Sequence, residues 1–230
     1  MITLAIDTAT KTAGVALLRD ERVLAEYFFN LPLNHSETVL PAVNQALALA
    51  GLGIGDVGLF ALTVGPGSFT GLRIGASTVK GLAFATGAPA VGVSTLEALA
   101  CNAAGFAGLV CPLIDARKGE VYAALYRIDG EGRPEPVLDE RVAAPCEILP
   151  LVEGNALFLG DGLAAAARLI AERPRGLSHF LAPNQQSVRA SSVALIGRRR
   201  YLRGDVLDLA TFVPRYLRRS EAEVRLGEKP

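Results

Sequence analysis

Thr63-Val64-Gly65-Pro66-Gly67-Ser68-Phe69-Thr70-Gly71-Leu72-Arg73-Ile74-Gly75 is the stretch from which the rest of the chain is read. The apolar run 57–64 stops abruptly at Gly-Pro-Gly, and a helical pattern rich in small residues follows. This predicts a strand, a tight turn and a helix start. Two readings of that helix compete. Exposed backbone N–H groups at its start, with Ser68, Thr70 and Arg73 beside them, are candidates to contact nucleotide phosphates. Alternatively Gly71 and Gly75, one turn apart with Thr78 and Ala85 further along, make a face that another backbone can approach closely. The stretch is not G-x-x-x-x-G-K-S/T and lacks the lysine that neutralises a β/γ-phosphate, so close packing is the favoured reading.

Upstream, 2–8, 14–19 and 23–29 read as three short strands of an antiparallel meander, with Arg19-Asp20-Glu21-Arg22 turning between the last two. Asn34-His35-Ser36-Glu37 offers an N-cap with Glu three places on, and Leu40, Val43, Leu47 and Ala50 then recur at helical spacing up to Gly51. Pro41 conflicts with a start at His35, because it would clash with the carbonyl four residues back; a start nearer Thr38, or a kink, is expected. Downstream come a helix over about 70–86, a break at Gly87-Ala88-Pro89, a strand over 90–93 and a helix over 95–104. Three strands, then helix, strand, helix, strand, helix is the plan of the ribonuclease H-like lobe of the actin, sugar-kinase and chaperone-ATPase superfamily.

That superfamily carries two such lobes, and a repeat is visible here. At an offset of 108, Ile6-Asp7 matches Ile114-Asp115, Ala16-Leu17 matches Ala124-Leu125 and Arg19 matches Arg127. At an offset of 95, Ala-Leu-Thr-Val-Gly-Pro-Gly at 61–67 matches Ala-Leu-Phe-Leu-Gly-Asp-Gly at 156–162. The second copy is therefore 13 residues shorter between its landmarks, and the shortfall lies where the first copy has its helix over 38–50. The expectation is an α/β protein with two ribonuclease H-like lobes, 1–105 and an abbreviated 106–218, followed by a loose tail over 219–230. In the second lobe, helical patterns cover the segment after Gly162 up to Glu172 and the segment 187–202. Residues 173–184 look irregular, and 211–216 reads as a last short strand.

The 230 residues suffice for a substantial core, and no apolar run approaches the roughly 20 residues of a membrane span. Asp7 interrupts the first apolar run, so no signal-peptide layout is seen and a cytoplasmic protein is expected. Cys101, Cys111 and Cys146 form no close pair and are expected to be reduced. Residues 1–110 hold 5 basic and 7 acidic side chains, whereas 185–230 hold 10 and 5. The basic runs at 198–203 and 215–219 suit RNA phosphates, although a solvated helix face and a charged tail explain them as well. Two histidines, His35 and His179, give no metal-ligand spacing, and no G-x-S-x-G elbow is present.

Asp7 and Asp115 each end the first strand of a lobe, where carboxylates of two-lobed ATPases face one cleft. The glycines that usually follow the second are missing: Asp115 is followed by Ala116, Arg117 and Lys118. Those cations would crowd a triphosphate, so efficient ATP hydrolysis by this chain alone is not expected.

The chain resembles the TsaB family, the smaller partners in bacterial synthesis of threonylcarbamoyladenosine in tRNA. The resemblance rests on Ile6-Asp7-Thr8-Ala9, on His35-Ser36-Glu37 followed by Leu40-Pro41, and on the opening stretch 63–75. It rests also on the ending Pro214-Arg215-Tyr216-Leu217-Arg218-Arg219-Ser220-Glu221-Ala222-Glu223. It implies pairing with TsaD, the paralogue with the active site, and work with the ATPase TsaE. The complex would transfer a threonylcarbamoyl group to the adenosine next to the anticodon of tRNAs reading codons that begin with A. In register with the H-x-E-x-H-like metal motif of TsaD this chain reads Thr95-Leu96-Glu97-Ala98-Leu99, so neither imidazole is present. The resemblance thus implies no catalytic residue, no metal and no cofactor in this chain, with ATP or ADP only at the interface with TsaD. It also implies that the first two helices dock TsaD, or a second copy when TsaD is absent. Leu40, Val43 and Leu47 on one helix and Gly71, Leu72, Gly75 and Val79 on the other are the expected contact residues. An independent phosphotransferase using Asp7 and Asp115 is the rival reading; a peptidase lacks a nucleophile or metal.

Overall fold

The computed structural model describes residues 1–31 and 34–218; the expected tail 219–230, including the last part of the quoted ending, lies outside them. Strands β1 (Ile2–Asp7), β2 (Ala13–Arg19) and β3 (Arg22–Phe29) form the meander, followed by helix α1 (His35–Leu49). Strand β4 (Leu59–Gly65), helix α2 (Phe69–Thr86), strand β5 (Ala90–Ser94) and helix α3 (Thr95–Ala100) complete the first half. The second half repeats the order with β6 (Leu109–Arg117), β7 (Glu120–Ile128), β8 (Pro134–Ala143), a four-residue α4 (Pro145–Ile148), β9 (Ala156–Leu159), α5 (Leu163–Ala171), β10 (Ser178–Phe180) and α6 (Ala190–Leu202).

The two five-stranded sheets have the same order, β3-β2-β1-β4-β5 and β8-β7-β6-β9-β10. In each, the first three strands pair antiparallel and the last two join in parallel. The duplication read from the sequence is therefore a duplication of fold. The second copy is abbreviated where expected, a single turn of α4 standing in for the 15 residues of α1.

The core lies in three apolar layers, of which the middle one joins the halves. Helices α1 and α2 cover one face of the first sheet through Val39, Val43, Leu47 and Val79 on Leu4, Ile6, Phe60 and Leu62. Helices α4 and α5 cover the far face of the second sheet through Ile148 and Ile170 on Leu113 and Phe158. Between the sheets lie α3 and α6, with Leu96, Leu99, Val193 and Ile196 packed among residues of both. These two helices are exchanged: α6, late in the chain, lies on β1, β2, β4 and β5, while α3 lies on β6 and β7. Gly197 lets α6 come down onto Ala61, where an added Cβ would lie 2.6 Å from the Ala61 Cβ.

Four local expectations change. Helix α1 begins at His35 and carries Pro41 inside it. Glu37 and Pro41 are both exposed, so the carbonyl that Pro41 leaves without a donor lies on the wet side of the helix. The α-helix expected over 95–104 ends at Ala100 and tightens into a 3₁₀ turn over Cys101–Ala103. Residues 178–180, expected to be irregular, pair in parallel with β9. The strand expected over 211–216 is absent. The chain after α6 instead touches the first sheet at single points, through Leu207 N–H to the Ala90 carbonyl (2.8 Å) and Arg215 N–H to the Val64 carbonyl (2.7 Å). No helix among the described residues is long and apolar enough to cross a membrane.

Candidate functional site

The turn after β4 settles what the glycines are for. Gly65 has φ +120°, which suits only glycine, and the bond to Pro66 is cis. Added Cβ atoms at Gly67, Gly71 and Gly75 would lie 2.2 Å from the Ala9 carbonyl oxygen, 2.0 Å from the Thr8 carbonyl oxygen and 2.5 Å from Thr8 Oγ1. The glycine face of α2 is thus filled by the β1–β2 loop of the same chain, and Thr8 Oγ1 donates to the Gly71 carbonyl at 2.7 Å. The helix start is largely spoken for as well: Ser68 N–H donates to the Ala9 carbonyl, and Ser68 Oγ caps Gly71 N–H at 3.2 Å. The face packs, but on its own loop rather than on a partner.

The same inward turn corrects the expected docking residues. Val43, Leu47, Leu72 and Val79 are core residues, and Gly71 and Gly75 are buried; of the seven, Leu40 alone is exposed. Helical periodicity finds the stripe that faces the sheet, and the outward stripe is offset from it. That outward surface carries Leu40, Pro41, Ala48 and Leu49 on α1, and Ser77, Gly81, Phe84 and Ala85 on α2. Phe84 is 92% exposed and Leu49 71%. The readable signal was Phe84's place outside the 72, 75, 76, 79, 83 register of α2.

A cleft of about 700 Å³ opens between the β1–β2 loop, the start of α2 and the β6–β7 hairpin. Ser68, Thr70, Arg73 and Asp115 line it, and Asp7 does not. Asp7 is fully buried, its Oδ1 accepting from Ala9 N–H (3.1 Å) and Thr63 Oγ1 (2.8 Å) while its Oδ2 has no partner. Burial raises its pKa, against the opposing pull of those hydrogen bonds and of His35. Asp115 is half open and lies 3.6 Å from Lys11 Nζ and 3.9 Å from Arg117. Strand ends equivalent in the repeat therefore hold carboxyls of different character: one sealed, one paired with cations. Asp161 sits beside them, accepting from Asp115 N–H at 3.0 Å, with its pKa raised chiefly by burial.

Arg73 turns toward the C-terminal segment. Its Nε donates to Tyr216 OH at 3.2 Å, and its guanidinium lies 5.0 Å from the centre of the Phe69 ring, which stacks on Tyr216. Most basic side chains of the late runs are likewise paired within the chain: Arg198 with Asp20 and Glu21, Arg200 with Glu97, Arg215 with Glu140, Arg218 with Glu120.

Thr95 and Leu99, the two positions at which the resemblance implied missing imidazoles, are buried, and Leu offers a metal no donor. Glu97 faces Arg200 Nη2 at 2.5 Å, and burial raises its pKa against that ion pair. Glu140 beside it accepts from Ser94 Oγ and from Tyr126 OH (3.3 Å) and meets Arg215 at 3.0 Å. Among the described residues, no three His, Cys, Asp or Glu side chains are grouped to hold a metal ion. The three cysteines are free, and burial pushes the thiols of Cys101 and Cys111 up to about 12.

Comparison with known proteins places this geometry. The family model described as TsaD, tRNA N6-adenosine threonylcarbamoyltransferase, matches residues 30–226. A tRNA threonylcarbamoyladenosine biosynthesis protein TsaB of Bacillus subtilis is 37% identical over 98% of this chain and 97% of its own length. The Escherichia coli protein of the same name is 44% identical over 70% of this chain and 72% of its own. The structure of YeaZ from Pseudomonas aeruginosa superposes with a TM-score of 0.81 at 30% identity, covering 94% of this chain and 99% of that one. With 37% identity to a TsaB protein along almost the whole of both chains, and a shared fold, the chain belongs to the TsaB family of tRNA threonylcarbamoyladenosine biosynthesis proteins.

Proposed function

We propose that this chain is the non-catalytic partner subunit of TsaD in forming threonylcarbamoyladenosine next to the anticodon of tRNAs that read codons beginning with A. TsaE joins the assembly, tRNA is reached through it, and the chain pairs with a second copy of itself when TsaD is absent. The observation that supports the reading is a chain that matches the TsaD model yet buries Thr95 and Leu99 at the positions where the resemblance to TsaD leads one to expect imidazoles. The docking surface is the outer side of α1 and α2, where Leu40, Leu49 and Phe84 lie exposed. Exposed apolar side chains of that size suit burial against a related surface.

The test is co-purification of the full chain with TsaD, with affinity read by sedimentation. Phe84→Asp and Leu40→Asp should each weaken pairing at least about tenfold, since each puts a charge into a desolvated contact, while the melting temperature stays near that of the parent. Unchanged pairing in both variants, or tRNA modification by the chain alone, overturns the proposal. The rival phosphotransferase reading requires Asp7 to reach substrate, and a sealed Asp7 speaks against it.

A further inference from the structure

The repeat places α5 and β10 where α2 and β5 stand in the first half, and the two grooves so formed differ in what lies in them. In the first, the irregular segment after α6 meets the open edge of β5. Leu207 N–H donates to the Ala90 carbonyl at 2.8 Å, and Leu207, Leu209 and Phe212 pack against the apolar layer that holds Val79, Ala83 and Ala90. Asp208, between the two leucines, is exposed. Lys80 on α2 completes the contact, its Nζ donating to the Phe212 carbonyl at 2.8 Å and lying 5.6 Å from the centre of that ring. A passing chain segment with inward apolar side chains is what the first groove holds.

In the second half the equivalent groove is a cavity of about 320 Å³, and among the described residues no strand lies beyond β10. Leu163, Ala167 and Ile170 of α5 form one wall. Ser178 and Phe180, which share a face of β10, form the other, and Phe180 is 56% exposed. An edge strand keeps backbone N–H and C=O groups without a ladder partner, and the cavity beside it can take a side chain. Those are the parts of strand addition, in which main-chain hydrogen bonds give affinity and side-chain pockets give specificity.

Charge at the rim is one-sided. Arg173 and Arg175 are the charged residues that line the cavity, and no acid lines it. Arg173 directs its donors to the Val152 and Gly154 carbonyls and to Ser178 Oγ, none of which neutralises it. Arg175 is exposed and has no ion-pair partner among the described residues. The neighbouring acid, Glu172, is paired with Arg168 at 3.3 Å.

We propose that the α5–β10 groove takes up an extended segment of another protein in which apolar side chains alternate with an acidic one. The apolar side chains enter the cavity and the acid faces Arg175. The groove lies on the outer face of the second sheet, whereas α1 and α2 cover the first, so the proposal stands apart from the docking surface.

The probe is a fluorescein-labelled peptide of sequence 205–212, the segment already seen in the first groove, titrated with the full chain and followed by anisotropy. Saturable binding with a dissociation constant below about 100 µM is expected. Arg175→Glu and Ala167→Trp, both at exposed positions, should each weaken it at least about tenfold with the melting temperature unchanged. In the peptide, Leu207→Ser with Leu209→Ser, or Asp205→Lys with Asp208→Lys, should do the same. Phe84→Asp and Lys80→Ala in the protein should leave affinity unchanged, which separates this groove from the docking surface and from the first groove. No saturation up to about 1 mM overturns the proposal. So does affinity that survives both groove variants, a lysine-bearing peptide that binds as tightly, or binding lost in Lys80→Ala. If Arg175→Glu and Ala167→Trp instead abolish self-association in sedimentation, the groove joins copies of this chain and the proposal falls.

Discussion

Gly71 and Gly81 stand ten residues apart on one helix and answer to opposite demands. An added methyl at Gly71 would lie 2.0 Å from the Thr8 carbonyl oxygen, whereas at Gly81 it would meet nothing within 4 Å. Gly71→Ala should therefore destabilise the protein by about 2–3 kcal/mol through overpacking. Gly81→Ala should stabilise it by about 0.5–1 kcal/mol, because a helical glycine loses more backbone entropy than alanine. Urea denaturation of both variants checks the pair. Asp7 yields a second prediction. Burial raises its pKa above 3.8, so between that value and the higher folded one the native state holds more protons than the unfolded chain. Stability then falls as pH rises through that window. Asp7→Asn should lessen the fall and leave the variant at least as stable as the parent at neutral pH, as followed by thermal melts across pH. At this scale the sequence showed that the glycines demanded close approach. It could not show that Thr8 and Ala9 were the approaching residues, because those contacts join positions 58 to 67 residues apart.

Among the elements, strands and long helices were legible because apolar periodicity and Gly-Pro stops mark them. The three-residue β10 was not, since its residues Ser178-His179-Phe180 carry no alternation long enough to read, and its pairing with β9 is a tertiary event. The segment after α6 looked like a strand from composition, but it is held at separate points. Lys80 Nζ donates to the Phe212 carbonyl at 2.8 Å, Arg215 spans from the Val64 carbonyl to Glu140 on β8, and Arg218 reaches Glu120 on β7. It straps the first sheet to the second. Arg215 is half exposed, so its ion pair is screened and Arg215→Ala should cost only about 1 kcal/mol. A double-mutant cycle with Glu140→Gln should show coupling of the same order, because the guanidinium compensates the nearly buried Glu140 carboxyl.

For the whole molecule, the repeat announced two sheets of equal order, and its 13-residue shortfall correctly located the missing helix. What the repeat could not announce is the exchange of α3 and α6, since no local pattern states which sheet a helix covers. The exchange has a testable effect. A fragment of residues 1–105 would lack α6 and leave Ala5, Leu18, Ala61 and Val93 uncovered. It should fail to give a cooperative melt, whereas the full chain should unfold in one transition seen alike by circular dichroism and fluorescence.

Each half, having lent the other a helix, is clasped rather than tethered. The connector around 104–108, with the positive φ of Gly105, is then not what keeps the halves in company. Scission there should leave two polypeptides that still elute as one particle and part only in denaturant.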